Sequence, residues 1–253
     1  MCDVRKSVVR MVLMGLAAGL LAGAMKTAKA QVSVQVPVKK RRQETHARRE
    51  TNATRLARIQ RNIQETYSHR YEVIGGGGYL RFRSGEYTKK NNEVSWATAL
   101  NYYFNPKFAL VGDARGSFGS AHAILDNTYG VNRPQINEYM FTGGASYRFY
   151  RTEKIAVSAQ ALGGVGWGIF SGGAKGLTGA DLGLWQDGIR PAVSFGISGD
   201  YNIQPNLAIR ITPTYMGTMF RSGPDAFGVT PPSPAVQNNI GVNVGIIYRF
   251  GHQ

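Results

Sequence analysis

The chain has 253 residues, a formal net charge of +15 and a single cysteine, Cys2, so no disulfide framework or cysteine-based metal site is open to it. No apolar run reaches helix-spanning length, which excludes a bundle of transmembrane helices. With 32 glycines, 13 Tyr and 11 Phe, the composition suits tightly packed strands.

The N-terminus reads as an address. Arg5, Lys6 and Arg10 form a basic n-region, Met11 to Met25 is an apolar stretch of 15 residues, and Ala28-Lys29-Ala30 is a small-x-small cleavage signal before Gln31. That stretch is shorter than the roughly 20 residues a spanning helix needs. Residues 1–30 are therefore predicted to be a removed secretory signal. A lipoprotein signal would place Cys after Leu20-Leu21-Ala22-Gly23, where Ala24 stands.

Residues 31–69 differ in kind from the rest of the chain. From Gln31 to Arg70 there are ten Lys or Arg against three Glu, a net +7, and no Gly. Leu56, Ile59, Ile63 and Tyr67 fall on one helical face, which predicts a basic, weakly amphipathic helix from about Glu44 to Tyr67. Lys39-Lys40-Arg41-Arg42 would in isolation suggest nucleic-acid binding. Export excludes that partner and leaves a solvated charged spacer, contact of residues 39–70 with anionic lipid headgroups or acidic cell wall, or pairing with a partner helix.

Residues 70–253 read as a series of alternating strands. Tyr71 to Arg83 contains Gly75-Gly76-Gly77-Gly78. Tyr71 and Val73 take one parity and Leu80 and Phe82 the other, which predicts a bulge at the glycines. Val94, Trp96, Thr98, Leu100, Tyr102 and Phe104 share one face of the second strand. The third sets Phe108, Leu110 and Phe118 against Asp113, Arg115 and Ser117, and the fourth sets Tyr139, Phe141, Tyr147 and Phe149 against Glu138, Met140 and Arg148. The fifth carries Ile155, Val157, Val165, Trp167 and Ile169 on one face. The sixth sets Phe195, Ile197 and Tyr201 against Ser198 and Asp200, and the seventh sets Ile209, Ile211 and Tyr215 against Arg210 and Thr212. Ile240 to Phe250 is the eighth.

The connections are unequal. Those at 105–107, 151–154 and 202–206 are short turns, whereas 84–93, 119–136, 171–188 and 221–237 are longer and polar, the asymmetry of an outer-membrane barrel. Aromatics sort by height. Tyr102, Phe104, Phe108, Tyr147, Phe149, Tyr201, Tyr248 and Phe250 fall at the short-turn end, and Trp96, Phe118, Tyr139, Trp167, Phe170, Tyr215 and Phe220 at the long-loop end. Two girdles with small and aliphatic residues between them match a bilayer with two interfaces. A soluble sandwich has no reason to sort aromatics by height.

The fold class predicted is all-β: an eight-stranded antiparallel transmembrane β-barrel behind a basic helical extension. From Tyr71 to Phe250 the chain resembles the eight-stranded outer-membrane barrel domains of the OmpA-like superfamily. Its most specific segment, Gly245-Ile246-Ile247-Tyr248-Arg249-Phe250, is similar to the assembly signal of that family, which implies that Gly245, Tyr248 and Phe250 are read by the barrel-insertion machinery. Gly251-His252-Gln253 then depart from the usual terminal Phe.

The interior of an eight-stranded barrel is just wide enough for side chains to fill it. Its predicted charged lining is Asp113, Arg115, Glu138, Arg148, Asp200, Arg210 and Arg249, read as a salt-bridged plug. A narrow pore is the alternative, with four Arg against three carboxylates favouring anions. A lipid-modifying enzyme is a third reading, but none of His46, His69, His122 and His252 lies on a strand beside an inward Ser or carboxylate, so no catalytic residue is assigned. The Gly75–Gly78 and Gly163–Gly168 runs lack the Lys-Ser/Thr of a phosphate loop, no cluster has metal-ligand spacing, and no cofactor is expected. The predicted role is structural or interaction-based, for a monomer in outer-membrane lipid with its N-terminal extension and C-terminus in the periplasm.

Overall fold

The computed structural model describes residues 52–86, 88–122, 130–172, 176–224, 228, 230, 233 and 236–252. The predicted signal, and the extension as far as residue 51, lie outside the described residues. The predicted helix is described from Asn52 onward, as α1 (Asn52–Tyr67).

Eight strands follow: β1 (His69–Arg83), β2 (Lys90–Tyr103), β3 (Phe108–Ser120), β4 (Gln135–Arg151), β5 (Ile155–Gly172), β6 (Gly188–Gln204), β7 (Leu207–Thr218) and β8 (Gln237–His252). Each pairs antiparallel with the next and β8 pairs with β1, so the sheet closes into a barrel with no free edge. The tight connections have local causes. Asn105 Oδ1 accepts the backbone N–H groups of Lys107 and Phe108 at 2.9 and 2.8 Å in the β2–β3 turn. Thr152 closes the β4–β5 turn through its backbone N–H to Ile155 O at 2.7 Å.

Alternation sends one set of side chains outward on every strand. Leu100, Leu110, Phe141, Ile197, Ile211, Val244 and Ile246 are exposed on the outside, whereas Asn101, Asp113, Thr142, Ser198, Arg210, Thr212 and Asn243 are buried in the lumen. This is the reverse of a water-soluble protein and the arrangement a hydrocarbon solvent requires.

Both girdles form. Tyr71 stacks on Phe250 with ring centroids 5.3 Å apart, and Phe108 meets Tyr147 at 4.7 Å. At the other end Phe118, Tyr139 and Trp167 make a run of ring contacts at 5.8 and 5.6 Å. Trp96, Phe104, Phe149, Tyr201 and Tyr248 are exposed on the outer face, and Tyr102 packs edge-on against Phe104. Tyr71 belongs to the lower girdle as well. A register shift between Arg148 and Tyr150 turns both Phe149 and Tyr150 outward.

Three sequence expectations are corrected. First, β1 holds one unbroken register from Tyr71 to Arg83 against β2, with no bulge at the glycines. Leu80 and Phe82 do take the opposite parity from Tyr71 and Val73, because they point into the lumen. The glycines serve close approach instead: a Cβ on Gly76 would overlap Val244 O and sit 2.5 Å from Gly245 Cα. Second, Phe170 and Phe220 are fully buried inside the barrel and leave the girdle. Third, β2 begins at Lys90, so Glu93 is a lumenal strand residue and not part of a loop.

Candidate functional site in the barrel lumen

All seven charged residues predicted to face inward are buried in the lumen, but they fall into separate groups. The largest lies toward the short-turn end and is organised by a residue outside the predicted lining, Glu72. Its parity is set by Tyr71 and Val73, both outward, so alternation carried the signal. Arg148 Nη2 and Arg249 Nε donate to Glu72 Oε1 at 2.7 and 2.8 Å, and Arg210 Nη2 donates to Oε2 at 3.2 Å. Tyr103 Oη donates to the same Oε2 at 3.0 Å.

Arg210 also forks onto Asp200, Nε to Oδ1 at 2.5 Å and Nη2 to Oδ2 at 2.7 Å. Asp200 and Arg210 are direct partners across β6 and β7, as Glu72 and Arg249 are across β1 and β8. Three guanidiniums and two carboxylates are thus interlocked with both acids fully engaged, the condition under which buried charge is tolerable.

Asp113 and Arg115 form a second group, two residues apart on β3, with Arg115 Nε to Asp113 Oδ1 at 2.6 Å and Nη2 to Oδ2 at 3.2 Å. Glu138 is not bridged to an arginine. It lies near Glu93 in the loop-end half, and among the described residues neither oxygen of Glu93 nor Oε1 of Glu138 has a hydrogen-bond partner. With Glu72 and Glu93 counted, the buried lumen carries four Arg and five carboxylates among the described residues, so the arginine excess behind an anion-selective pore is gone.

Above these groups an aromatic layer crosses the lumen, flanked by the buried polar side chains of Asn91, Gln237 and Asn239. Phe82 and Phe170 lie parallel with centroids 6.1 Å apart, and Phe220 meets both edge-on at 6.2 and 5.1 Å. Trp185, Leu182 and Leu184 from the β5–β6 connection complete the layer, fully buried. That connection is pinned where it crosses the mouth: Trp185 Nε1 donates to Arg83 O at 2.6 Å, and its backbone N–H donates to Ser84 O at 2.9 Å. Inside lie a cavity of about 30 Å³ lined in part by Asp113, Arg115, Gln160, Thr212 and Asn243 and one of about 10 Å³ beside Arg115, Glu138 and Met216, each with room for no more than a few waters.

The other mouth is covered by the end of α1. Tyr67 is buried, its Oη donates to Thr152 O at 2.8 Å and accepts from Asn202 Nδ2 at 3.0 Å. Arg148 and Arg249 lie over its ring at 4.9 and 5.9 Å from the centroid, so the aromatic face caps the charge cluster. Asn62 Nδ2 adds a hydrogen bond to Glu153 Oε1 at 2.7 Å. Burial raises the Tyr67 phenol above its ordinary range, opposed by the Asn202 hydrogen bond and the two guanidiniums. Only the C-terminal end of α1 is seated on the barrel in this way: Thr66 and Tyr67 are buried, whereas Leu56 at the other end of the predicted apolar face stays exposed.

With a closed eight-stranded sheet, an apolar belt between aromatic girdles and a filled polar lumen, the deciding features are together. The architecture is that of an eight-stranded outer-membrane β-barrel. No protein-family model matches the sequence, and no curated protein matches it. Among solved structures, the barrel is similar to Ail, the attachment invasion locus protein of Yersinia pestis, seen in complex with the heparin analogue sucrose octasulfate, at 17% identity over 72% of this chain and 99% of that one, with a TM-score of 0.45. It is similar to Neisserial surface protein A at 12% identity, covering 71% and 97% of the two chains, with a TM-score of 0.47. The outer membrane protein OprG from Pseudomonas aeruginosa matches at 14% identity over 74% and 99%, also with a TM-score of 0.47.

Among the described residues no group of three or more His, Cys, Asp or Glu is placed to hold a metal. His69 Nδ1 lies 3.2 Å from Thr66 O and His122 Nδ1 lies 3.5 Å from Asn91 Oδ1. His46 lies outside the described residues, as does the side chain of His252.

Proposed function

We propose that the protein is a non-conducting outer-membrane barrel with a structural and interaction role, presenting its loop-end surface to partners and carrying no catalytic activity. The observation that supports this most is the layered filling of the lumen: Tyr67 over one mouth, the Glu72 cluster behind it, and the Phe82, Phe170, Phe220 and Trp185 layer across the other. A solute crossing the barrel would have to part three guanidiniums from their carboxylates and displace a packed aromatic layer.

In this reading residues 1–30 are removed on export, and the insertion machinery reads Gly245, Tyr248 and Phe250. The short turns, α1 and both ends of the mature chain face the periplasm, and the barrel works as a monomer. The basic segment 39–70 meets anionic headgroups or acidic cell wall. The experiment is planar-bilayer conductance with the refolded protein. A silent protein supports the interaction role, whereas steady unitary currents altered by Arg210→Ala would establish the small-solute pore. Lipid analysis of a producing host separates the third possibility: new lipid species would establish an enzyme.

A further inference from the structure

We propose that Arg81, Arg83 and Lys90 form a binding site for the phosphate of a lipid headgroup in the leaflet at the loop end of the barrel. The three share the outward face of β1 and β2, alternating with the lumenal Leu80, Phe82 and Asn91. Arg83 and Lys90 are direct cross-strand partners, and Arg81 stands opposite Asn92, one outward position along. Like charges directly opposite each other destabilise a sheet. Here no acid relieves them: among the described residues none of the three makes an ion pair.

The placement is local. At the same height on β3 to β8 the outward positions are uncharged, Phe118, Gln135, Ile189, Tyr215 and Asn238 among them. One of the cations, Lys90, is also held in position. Lys90 Nζ donates to Asn238 O at 3.0 Å, and Tyr79 Oη donates to Asn92 Oδ1 beside Arg81.

Position in the bilayer selects the ligand. Arg81 lies two residues beyond Tyr79, about 7 Å along the strand; the outward apolar side chains Tyr79 and Val94 stand directly below it, with Val242 opposite Tyr79 on β8, and Ile240 stands beside Arg81 itself. A molecule matching this surface has an anionic head over an apolar body. Two guanidiniums favour phosphate, whose oxygens they can bind in forked pairs. A free phosphate ion satisfies only the upper half, whereas a phosphate-bearing lipid covers both.

The test is native mass spectrometry of the folded protein from detergent, with lipid A, a bis-phosphorylated glucosamine lipid, as the probe. Wild type and Lys107→Gln, a change at the opposite end, are expected to bind it alike, and the Arg81→Gln/Arg83→Gln/Lys90→Gln variant is expected to bind at least about tenfold more weakly. Dephosphorylated lipid A should bind wild type no better than lipid A binds that variant. Binding unchanged in the triple variant would overturn the site, and inorganic phosphate competing at concentrations equal to lipid A would overturn the lipid as its source. The site rests on the barrel spanning a membrane. Heat-modifiable gel migration separates the failures: a triple variant that keeps the shift is folded, so its loss of binding reports on the site, and a wild type without the shift would overturn the membrane reading itself.

Discussion

Glu72 and Arg249 stand directly opposite each other on β1 and β8, at the seam where the barrel closes, and Arg249 Nε donates to Glu72 Oε1 at 2.8 Å. The residues are 177 apart in sequence, so the contact forms only when the two terminal strands meet in the correct register. A one-residue slip would turn one of the charges toward lipid. The ion pair thus ties the lumen's charge pattern to barrel closure.

Replacing Glu72 with Gln keeps the shape but leaves Arg148, Arg210 and Arg249 with Asp200 as their one carboxylate. Breaking a buried ion network by removing one partner costs about 3–5 kcal/mol. Urea unfolding in lipid vesicles should show a loss of that order for Glu72→Gln, and a loss below about 1 kcal/mol would contradict the role given to Glu72.

Gly76 distinguishes close approach from a bulge. Its missing Cβ leaves room for Val244 O and Gly245 Cα across the seam. Gly76→Ala should therefore destabilise by about 1–3 kcal/mol through overpacking, while Gly75→Ala, where nothing lies within 4 Å of the added atom, should cost far less. Equal effects in the same unfolding assay would contradict the register.

On the outside the solvent is hydrocarbon. Val244 is exposed on the lipid face of β8 between the girdles. Val244→Arg should cost roughly 2–4 kcal/mol near the bilayer midplane, and the same change at Val94, near the loop-end rim, about 0–1 kcal/mol. If both variants unfold at the same urea concentration, the bilayer lies elsewhere.

Docking of α1 should depend on pH through Tyr67. Burial favours the neutral phenol, so the docked state keeps its proton to higher pH than the undocked chain. The contribution is fully present below about pH 10 and is lost as pH rises through the raised folded value. A spin label at Gln60→Cys should gain mobility over that range, and Tyr67→Phe, which loses two hydrogen bonds at about 1 kcal/mol each, should gain it at neutral pH. A label equally immobile in both proteins would contradict the docking.

The strands and their outward faces were legible because period two is a local property that survives into the fold. Glu72 was legible in principle, since alternation places it inward, but the parity change at Leu80 suggested a bulge where the strand instead turns the apolar side chains of Leu80 and Phe82 into the lumen. Phe170 shows the limit of sorting aromatics by height: its height resembles a girdle, and only its parity against Trp167 and Ile169 separates it. Trp185 and Phe220 had no such signal, because a side chain folding back from a connection leaves no periodicity. The grouping of the lumenal charges depends on which strands lie side by side across the barrel, and no one strand records that.

The sealed lumen can be tested with one reagent, because the only native cysteine, Cys2, lies in the predicted signal. Thr212 is buried in the lumen between the Glu72 cluster and the aromatic layer, and Asn238 is exposed at the loop end. Single-cysteine variants at these positions, folded in vesicles, should differ under a charged thiol reagent. Asn238→Cys should label rapidly and Thr212→Cys should stay unlabelled from either side of the membrane. Labelling of Thr212→Cys at the rate of Asn238→Cys would mean that water and ions pass freely through the barrel, and would contradict the plug.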